Sequence, residues 1–214
     1  MTTTTCAFGF AVVIFFRAVP VISTNTCDAG GGASIVSHFL HGPDAGKLMN
    51  HTRGFYCLVY HSKPATFITR MPCLCARVSL IENPGEHAKY LYQFSPNKTH
   101  LLTGTMPVQT KKTDQAFKHK NEIVVKYVRS NNLIKETYRI LYADYKSCVV
   151  LSSETLGVQL CVKLKYLLEE KEMPYLCSLT YELATKESGL RHMVYDWKEC
   201  PQRRSYKENL GPSS

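Results

Sequence analysis

The chain has no long hydrophobic run. Its longest apolar stretch, Cys6–Phe16 (CAFGFAVVIFF), has 11 residues, against roughly 20 needed to cross a bilayer as a helix. A multi-span membrane protein is therefore excluded, and no membrane span is expected. No GxSxG nucleophile elbow, HExxH, GxGxxG or P-loop occurs, so the spacings that place a nucleophile, a metal-bound water or a nucleotide phosphate are absent. With His and Asp residues scattered, no enzyme is expected and no cofactor is implied. There is no CxxC pair, and Cys73-Leu74-Cys75 presents both thiols to one side of a strand, so no metal site is expected. The 12 glycines and 10 prolines show no short period, which removes collagen-like and low-complexity readings. Neither an internal repeat nor a Ser/Gly-rich linker divides the chain.

What is present is a 214-residue chain with 44% hydrophobic and 20% charged residues and a formal charge of +9. That composition suits one folded domain with a real core. The densest basic runs are Lys111-Lys112, Lys118-His119-Lys120 and Arg203-Arg204, with the remaining Lys and Arg spread along the chain. Such dispersal reads as a solvated basic surface and not as a nucleic-acid face. Attraction to acidic glycans or membrane surfaces is the use left to it.

The cysteine count is odd, at 9. Cys6–Phe16 followed by Arg17 and small residues reads as a signal peptide over residues 1–23, although Met1–Thr5 carries no basic residue. Cleavage near Ser23 takes Cys6 and leaves 8 cysteines, an even set suited to a disulfide-bonded secreted protein. Two glycosylation sequons, at Asn50 and Asn97, agree with that route. The expected location is extracellular.

Ala33–Leu40 has apolar residues at helical spacing and ends at Gly42-Pro43. From Gly54 the texture changes to short β-branched and aromatic segments. These are Phe55–His61, Cys73–Ile81, Ala88–Ser95, Leu101–Val108, Glu122–Val128, Thr137–Ala143, Cys148–Leu151 and Val158–Tyr166. Eight strands in succession with no helix between them predict an antiparallel barrel or sandwich. Period-two alternation places Tyr138, Ile140, Tyr142 on one inward face, and likewise Tyr90, Tyr92, Phe94 and Ile123, Val125, Tyr127. In the last strand Val158, Leu160, Val162, Leu164 and Tyr166 take the inward face. Pro174–Lys186 predicts a helix whose Cys177, Tyr181 and Ala184 stripe lies on the barrel wall, and 201–214 reads as a polar tail.

The segment Tyr138–Leu151 (YRILYADYKSCVVL) resembles the tick salivary lipocalins, the histamine-binding protein family. Phe55–Tyr60, Pro72–Ile81, Tyr90–Phe94 and the spacing Cys148, Cys177, Cys200 agree, with Pro174 before Cys177 and Tyr195 before Cys200. The resemblance implies an all-β fold: an eight-stranded antiparallel lipocalin barrel over 24–200, with a short N-terminal helix and a C-terminal helix on its wall. It also implies a monomeric scavenger that sequesters a small host mediator, such as an amine or lipid, and blunts host defence in tick saliva. It further implies the bridges Cys148–Cys177 and Cys200 to either Cys73 or Cys75. Barrel closure makes the first and last strands neighbours, which suggests Cys57–Cys161 as a third bridge, leaving Cys27 for the unused Cys73/Cys75 partner.

The chain departs from the family where amine-binding members carry acids and a tryptophan. Val149 follows Cys148, and Val162, Lys163 and Leu164 follow Cys161. The single tryptophan, Trp197, lies outside the strands. An ammonium buried without a carboxylate costs several kcal/mol, so a lipid or amphipathic mediator is expected unless Asp144 or Glu122 reaches the cavity. The residues expected to line it are Tyr56, Tyr60, Tyr90, Tyr92, Tyr138, Tyr142, Val162 and Leu164, with Tyr166 beside them. Arg77 and Arg139 are candidates for a ligand carboxylate. The competing expectation is a barrel that serves as scaffold, binding a host inflammatory, complement or clotting protein through loops or basic surface.

Overall fold

The alternating segments become strands, and where they are long the register keeps them so. The computed structural model describes residues 42–51, 54–97, 100–129, 132–186 and 190–200. The expected signal peptide, the Ala33–Leu40 helix, Cys27 and the 201–214 tail lie outside these residues. The described chain opens with helix α1 (Ala45–His51), started by Asp44, whose Oδ1 accepts the Lys47 N–H at 3.0 Å. Eight strands follow: β1 (Tyr56–His61), β2 (Cys75–Asn83), β3 (His87–Asn97), β4 (His100–Lys111), β5 (Glu122–Arg129), β6 (Asn132–Ala143), β7 (Cys148–Ser153) and β8 (Gly157–Lys163). Helices α2 (Leu164–Glu169) and α3 (Tyr175–Ala184) and a two-residue strand β9 (His192–Met193) complete the fold.

All strand pairs are antiparallel, each strand beside the next, and β1 pairs with β8 to continue the ring. The lower half of β1 also pairs with β2 through Tyr56↔Ala76 and Cys57↔Cys75, which closes the barrel. Its upper half takes β9 through Tyr60↔Met193 and His61↔His192, so little of the β1 edge is left unpaired. Tight turns need glycine at two places. Gly85 (φ +72) turns β2 into β3, and Gly157 (φ +67) starts β8 where Ser62 and Lys63 press against it.

The wall has two apolar faces, and this accounts for most departures from expectation. Helix α3 buries Cys177 and Tyr181 against Val150, Leu160 and Val162 on the outside of β7 and β8. The inner face gathers Tyr56, Ala88, Val108, Ile123, Val125, Ile140 and Val149, with Leu48 and Met49 of α1 as its floor. A β8 strand with apolar residues on alternate positions thus turns its more hydrophobic set outward, towards the helix. Val162 is fully buried under α3 and does not face the lumen. Strand β8 also ends at Lys163, so Leu164 and Tyr166 belong to α2 and pack outside the barrel.

Three disulfides occur among the described residues: Cys57–Cys75, Cys73–Cys200 and Cys148–Cys177. The suggested Cys57–Cys161 bridge is incorrect. Cys57 stands opposite Val162 on the outer face while Cys161 stands opposite Leu58 on the inner one, so their side chains diverge. With Cys75 bound to Cys57 and Cys73 to Cys200, neither is left for Cys27. The Cys161 thiol is free.

Candidate functional site: the barrel lumen

Four of the eight lining residues expected from sequence face inward, and four do not. Tyr56, Tyr90 and Tyr138 belong to the inner cluster, and Tyr92 stands on the same face of β3 as Tyr90, opposite Gly104. A Cβ on Gly104 would collide with the Tyr92 phenol, so the missing side chain is what lets that ring lie flat on β4. Tyr60 and Tyr142 are turned outward by register shifts, between Leu58 and Tyr60 in β1 and between Ile140 and Tyr142 in β6. Each shift inserts one residue and flips the strand's faces beyond it. Tyr60 instead meets Tyr181 at 6.0 Å and Tyr142 joins the outer cluster. Val162 and Leu164 pack on the outside, for the reasons given above.

The arginine and acid candidates also lie elsewhere. Arg77 sits over the Phe55 ring at 5.3 Å on the outer face, and Arg139 pairs with Glu122 at 3.6 Å. Glu122 faces outward, held by Lys111 at 3.5 Å and by the Thr113 hydroxyl at 2.9 Å. Asp144 closes the β6–β7 turn, accepting the N–H groups of Lys146, Ser147 and Cys148 at 2.8 to 2.9 Å. Glu122 does not reach the lumen, and Asp144 is held in the turn at its α1 end, close enough for its charge to act on Tyr56.

A different acid does. In β6, Ile134, Glu136, Tyr138 and Ile140 share one face, with Glu136 opposite Val125 and Tyr138 opposite Ile123. Glu136 is only 5% exposed. Its carboxylate accepts the Tyr127 hydroxyl at 3.3 Å and the Thr155 N–H at 3.2 Å. No Lys, Arg or His pairs with it among the described residues. Thr155 lies in the β7–β8 turn, so the carboxylate stands near the end of the barrel opposite the α1 floor. An unpaired buried carboxylate is costly, and a ligand cation would offset that cost.

Deeper, Cys161 lies between Tyr90 and Tyr138, close enough for each phenol to sense it. Burial pushes the Cys161 thiol up to about 12. Burial, then the Asp144 charge, pushes the Tyr56 phenol up to about 12. Tyr90 and Tyr138 are raised by burial as well, and Tyr138 further by Glu136. All four groups are therefore neutral near pH 7 and able to donate hydrogen bonds. None of the hydroxyls of Tyr56, Tyr90 and Tyr138 has a hydrogen-bond partner among the described residues. Tyr90, Tyr138, Cys161, Tyr127 and Met106 all point inward yet keep accessible surface. The inner face thus sets neutral donors towards α1 and a carboxylate towards the β7–β8 turn.

Sequence reasoning missed Glu136 and Cys161 as lining residues. The signal for Glu136 was present: extending the Tyr138, Ile140 face two residues upstream reaches it, but the strand was expected to start at Thr137. Cys161 was assigned outward because the aliphatic half of β8 was taken as the inner half.

Known proteins agree with this architecture. The family model described as tick histamine binding protein matches residues 41–202. This chain belongs to the tick histamine-binding protein family. Among solved structures, AM182 in its serotonin complex superposes with a TM-score of 0.57 at 18% identity, covering 76% of this chain and 97% of that one. Japanin from Rhipicephalus appendiculatus bound to cholesterol gives a TM-score of 0.45 at 16% identity, over 73% of this chain and 99% of that one. Lobster apocrustacyanin A1 gives 0.47 at 13% identity, over 74% and 83%. At these identities the AM182 likeness establishes the lipocalin fold alone. No curated protein is significantly similar in sequence. The chain is a ligand-binding scaffold of the tick histamine-binding family.

Proposed function

We propose that this chain is a secreted scavenger that captures a small protonated amine in its lumen and so lowers the host mediator available at a feeding site. The observation that carries this reading is Glu136, a carboxylate buried inside the barrel with no cationic partner among the described residues. An ammonium bound there gains a charge-assisted hydrogen bond and relieves an unpaired buried charge. The neutral hydroxyl and thiol donors around Tyr56, Tyr90, Tyr138 and Cys161 suit the other end of an amphipathic molecule, an aromatic ring carrying a hydroxyl or a second nitrogen. The sequence-based preference for a lipid rested on an interior without acids, and Glu136 removes that premise.

A lipid mediator is the second reading, favoured by the aliphatic inner wall of Val108, Ile123, Val125 and Val149. Calorimetry with histamine, serotonin and a leukotriene separates the two. Amine binding at micromolar or tighter affinity, with the leukotriene silent, supports the proposal. Leukotriene binding alone, or no ligand bound at high micromolar concentration, overturns it.

A further inference from the structure

We propose that the closed end of the barrel carries a binding site for a sulfated polysaccharide, separate from the lumen. The basic residues that look dispersed along the sequence converge here. Lys47 of α1 and Lys112, Lys118 and Lys120 of the β4–β5 connection line one concave pocket of about 600 Å³, floored by Pro84 and Gly85 of the β2–β3 turn. The hairpin geometry brings together segments that lie 65 or more positions apart in the chain, from Lys47 to Lys112.

The local acids leave most of this charge available. Lys120 is paired with Glu86 at 2.7 Å, and Asp44 is engaged by His119 at 3.4 Å. Lys112 and Lys118 have no acidic partner among the described residues. Lys47 lies over the Tyr145 ring at 4.4 Å, a contact that positions its ammonium without neutralising it. A pocket rich in uncompensated ammonium groups favours a polyanion and strengthens its capture at low salt.

The shape and lining narrow the class of polyanion. Apart from His119, no aromatic side chain lines the pocket, so unpaired bases find no stacking platform. The pocket is shallow and open to solvent, so a sugar chain lying across it sets its sulfate groups among the four lysines. Lysines act as mobile point charges, which suits irregularly spaced sulfates. Glu136 stands at the opposite end of the barrel, by the β7–β8 turn, so a ligand held there leaves this pocket free. Such an anchor would retain a scavenger on the extracellular matrix, where a released mediator first appears.

The test is affinity for heparin, with chemically desulfated heparin, phosphatidylserine vesicles and single-stranded DNA as comparisons. Asn50, in a glycosylation sequon, stands on the same pocket rim, so each protein is compared with and without Asn50→Gln, and heparin binding confined to the Asn50→Gln form would overturn the site as one the secreted protein uses. The double variant Lys112→Glu, Lys118→Glu should weaken heparin binding about 30-fold or more. The control Lys126→Glu, Lys135→Glu changes the net charge equally on exposed positions of β5 and β6, and should cost about threefold or less. Amine binding in the lumen should be unchanged in both. Lys118→Glu alone, at an exposed side chain, serves if the double variant does not fold, with a smaller loss expected. Equal losses in the pocket and control variants would reduce the effect to net charge and overturn the site. Binding of desulfated heparin as tightly as heparin, or preference for vesicles or DNA, would overturn it as well.

Discussion

Replacing Glu136 by Gln separates ligand binding from stability, because the two are expected to move in opposite directions. An ammonium about 2.8 Å from the carboxylate, at an effective dielectric of ~20, is attracted by about 6 kcal/mol. Desolvation of both ions offsets part of this, leaving ~2–4 kcal/mol. Glu136→Gln should therefore weaken amine binding by roughly 30- to 1000-fold. The ligand-free fold has less to lose. Gln keeps one oxygen for the Tyr127 hydroxyl or the Thr155 N–H, so one hydrogen bond of about 1 kcal/mol is lost. Removal of an unpaired buried charge returns as much or more, and the melting temperature should hold or rise. Calorimetry and thermal unfolding on the same preparations read both quantities. Unchanged amine affinity in Glu136→Gln would refute the reasoning, and so would loss of binding that merely tracks a lowered melting temperature.

Three further outcomes follow from the geometry. Cys161, with its thiol raised to about 12 by burial, should resist iodoacetamide at pH 8 in the native protein and react on unfolding, as peptide mapping would show; rapid native labelling would place it outside the lumen. Gly104→Ala should push the Tyr92 ring off β4 and into the lumen, weakening ligand binding with little change in far-ultraviolet circular dichroism; unaltered affinity would mean the ring leaves ligand space untouched. Tyr56 and Cys161 are both raised in the folded state, so the unfolded chain loses those protons first. Their contribution to stability is complete below about pH 9 and is lost as the pH climbs towards 12. Unfolding temperatures should fall across that window, and a flat profile would contradict the buried setting of both groups.

The strand sequence was readable because Ala88, Tyr90 and Tyr92 in β3 and Tyr138 and Ile140 in β6 fall at alternate positions, in strands whose β3–β4 and β5–β6 pairing runs unbroken over most of its length. Periodicity says which residues share a face, however, and not which face is the inside. At β8 the aliphatic set Leu160 and Val162 belongs under α3, and only the tertiary placement of that helix reveals it. Tyr60 and Tyr142 failed for another reason. A single inserted residue in β1 and in β6 reverses every later side chain, and neither segment carries a glycine or proline to mark the insertion. Glu136 was hidden by a strand boundary set two residues short. The Cys148–Cys177 pairing came from family resemblance, whereas Cys57–Cys75 depends on where β1 turns from β2 to β9 along its length, a feature of barrel closure with no local signature.

Amine capture depends on the lumen carboxylate of Glu136 holding the ligand's charge. A crystal structure of the protein with the tightest-binding amine from the calorimetric series tests it most directly. The amine should lie inside the barrel, with its ammonium nitrogen about 2.8 Å from a Glu136 oxygen and its far end against Tyr90, Tyr138 and Cys161. An amine bound outside the barrel, or inside it with the ammonium directed away from Glu136, would contradict capture by this carboxylate.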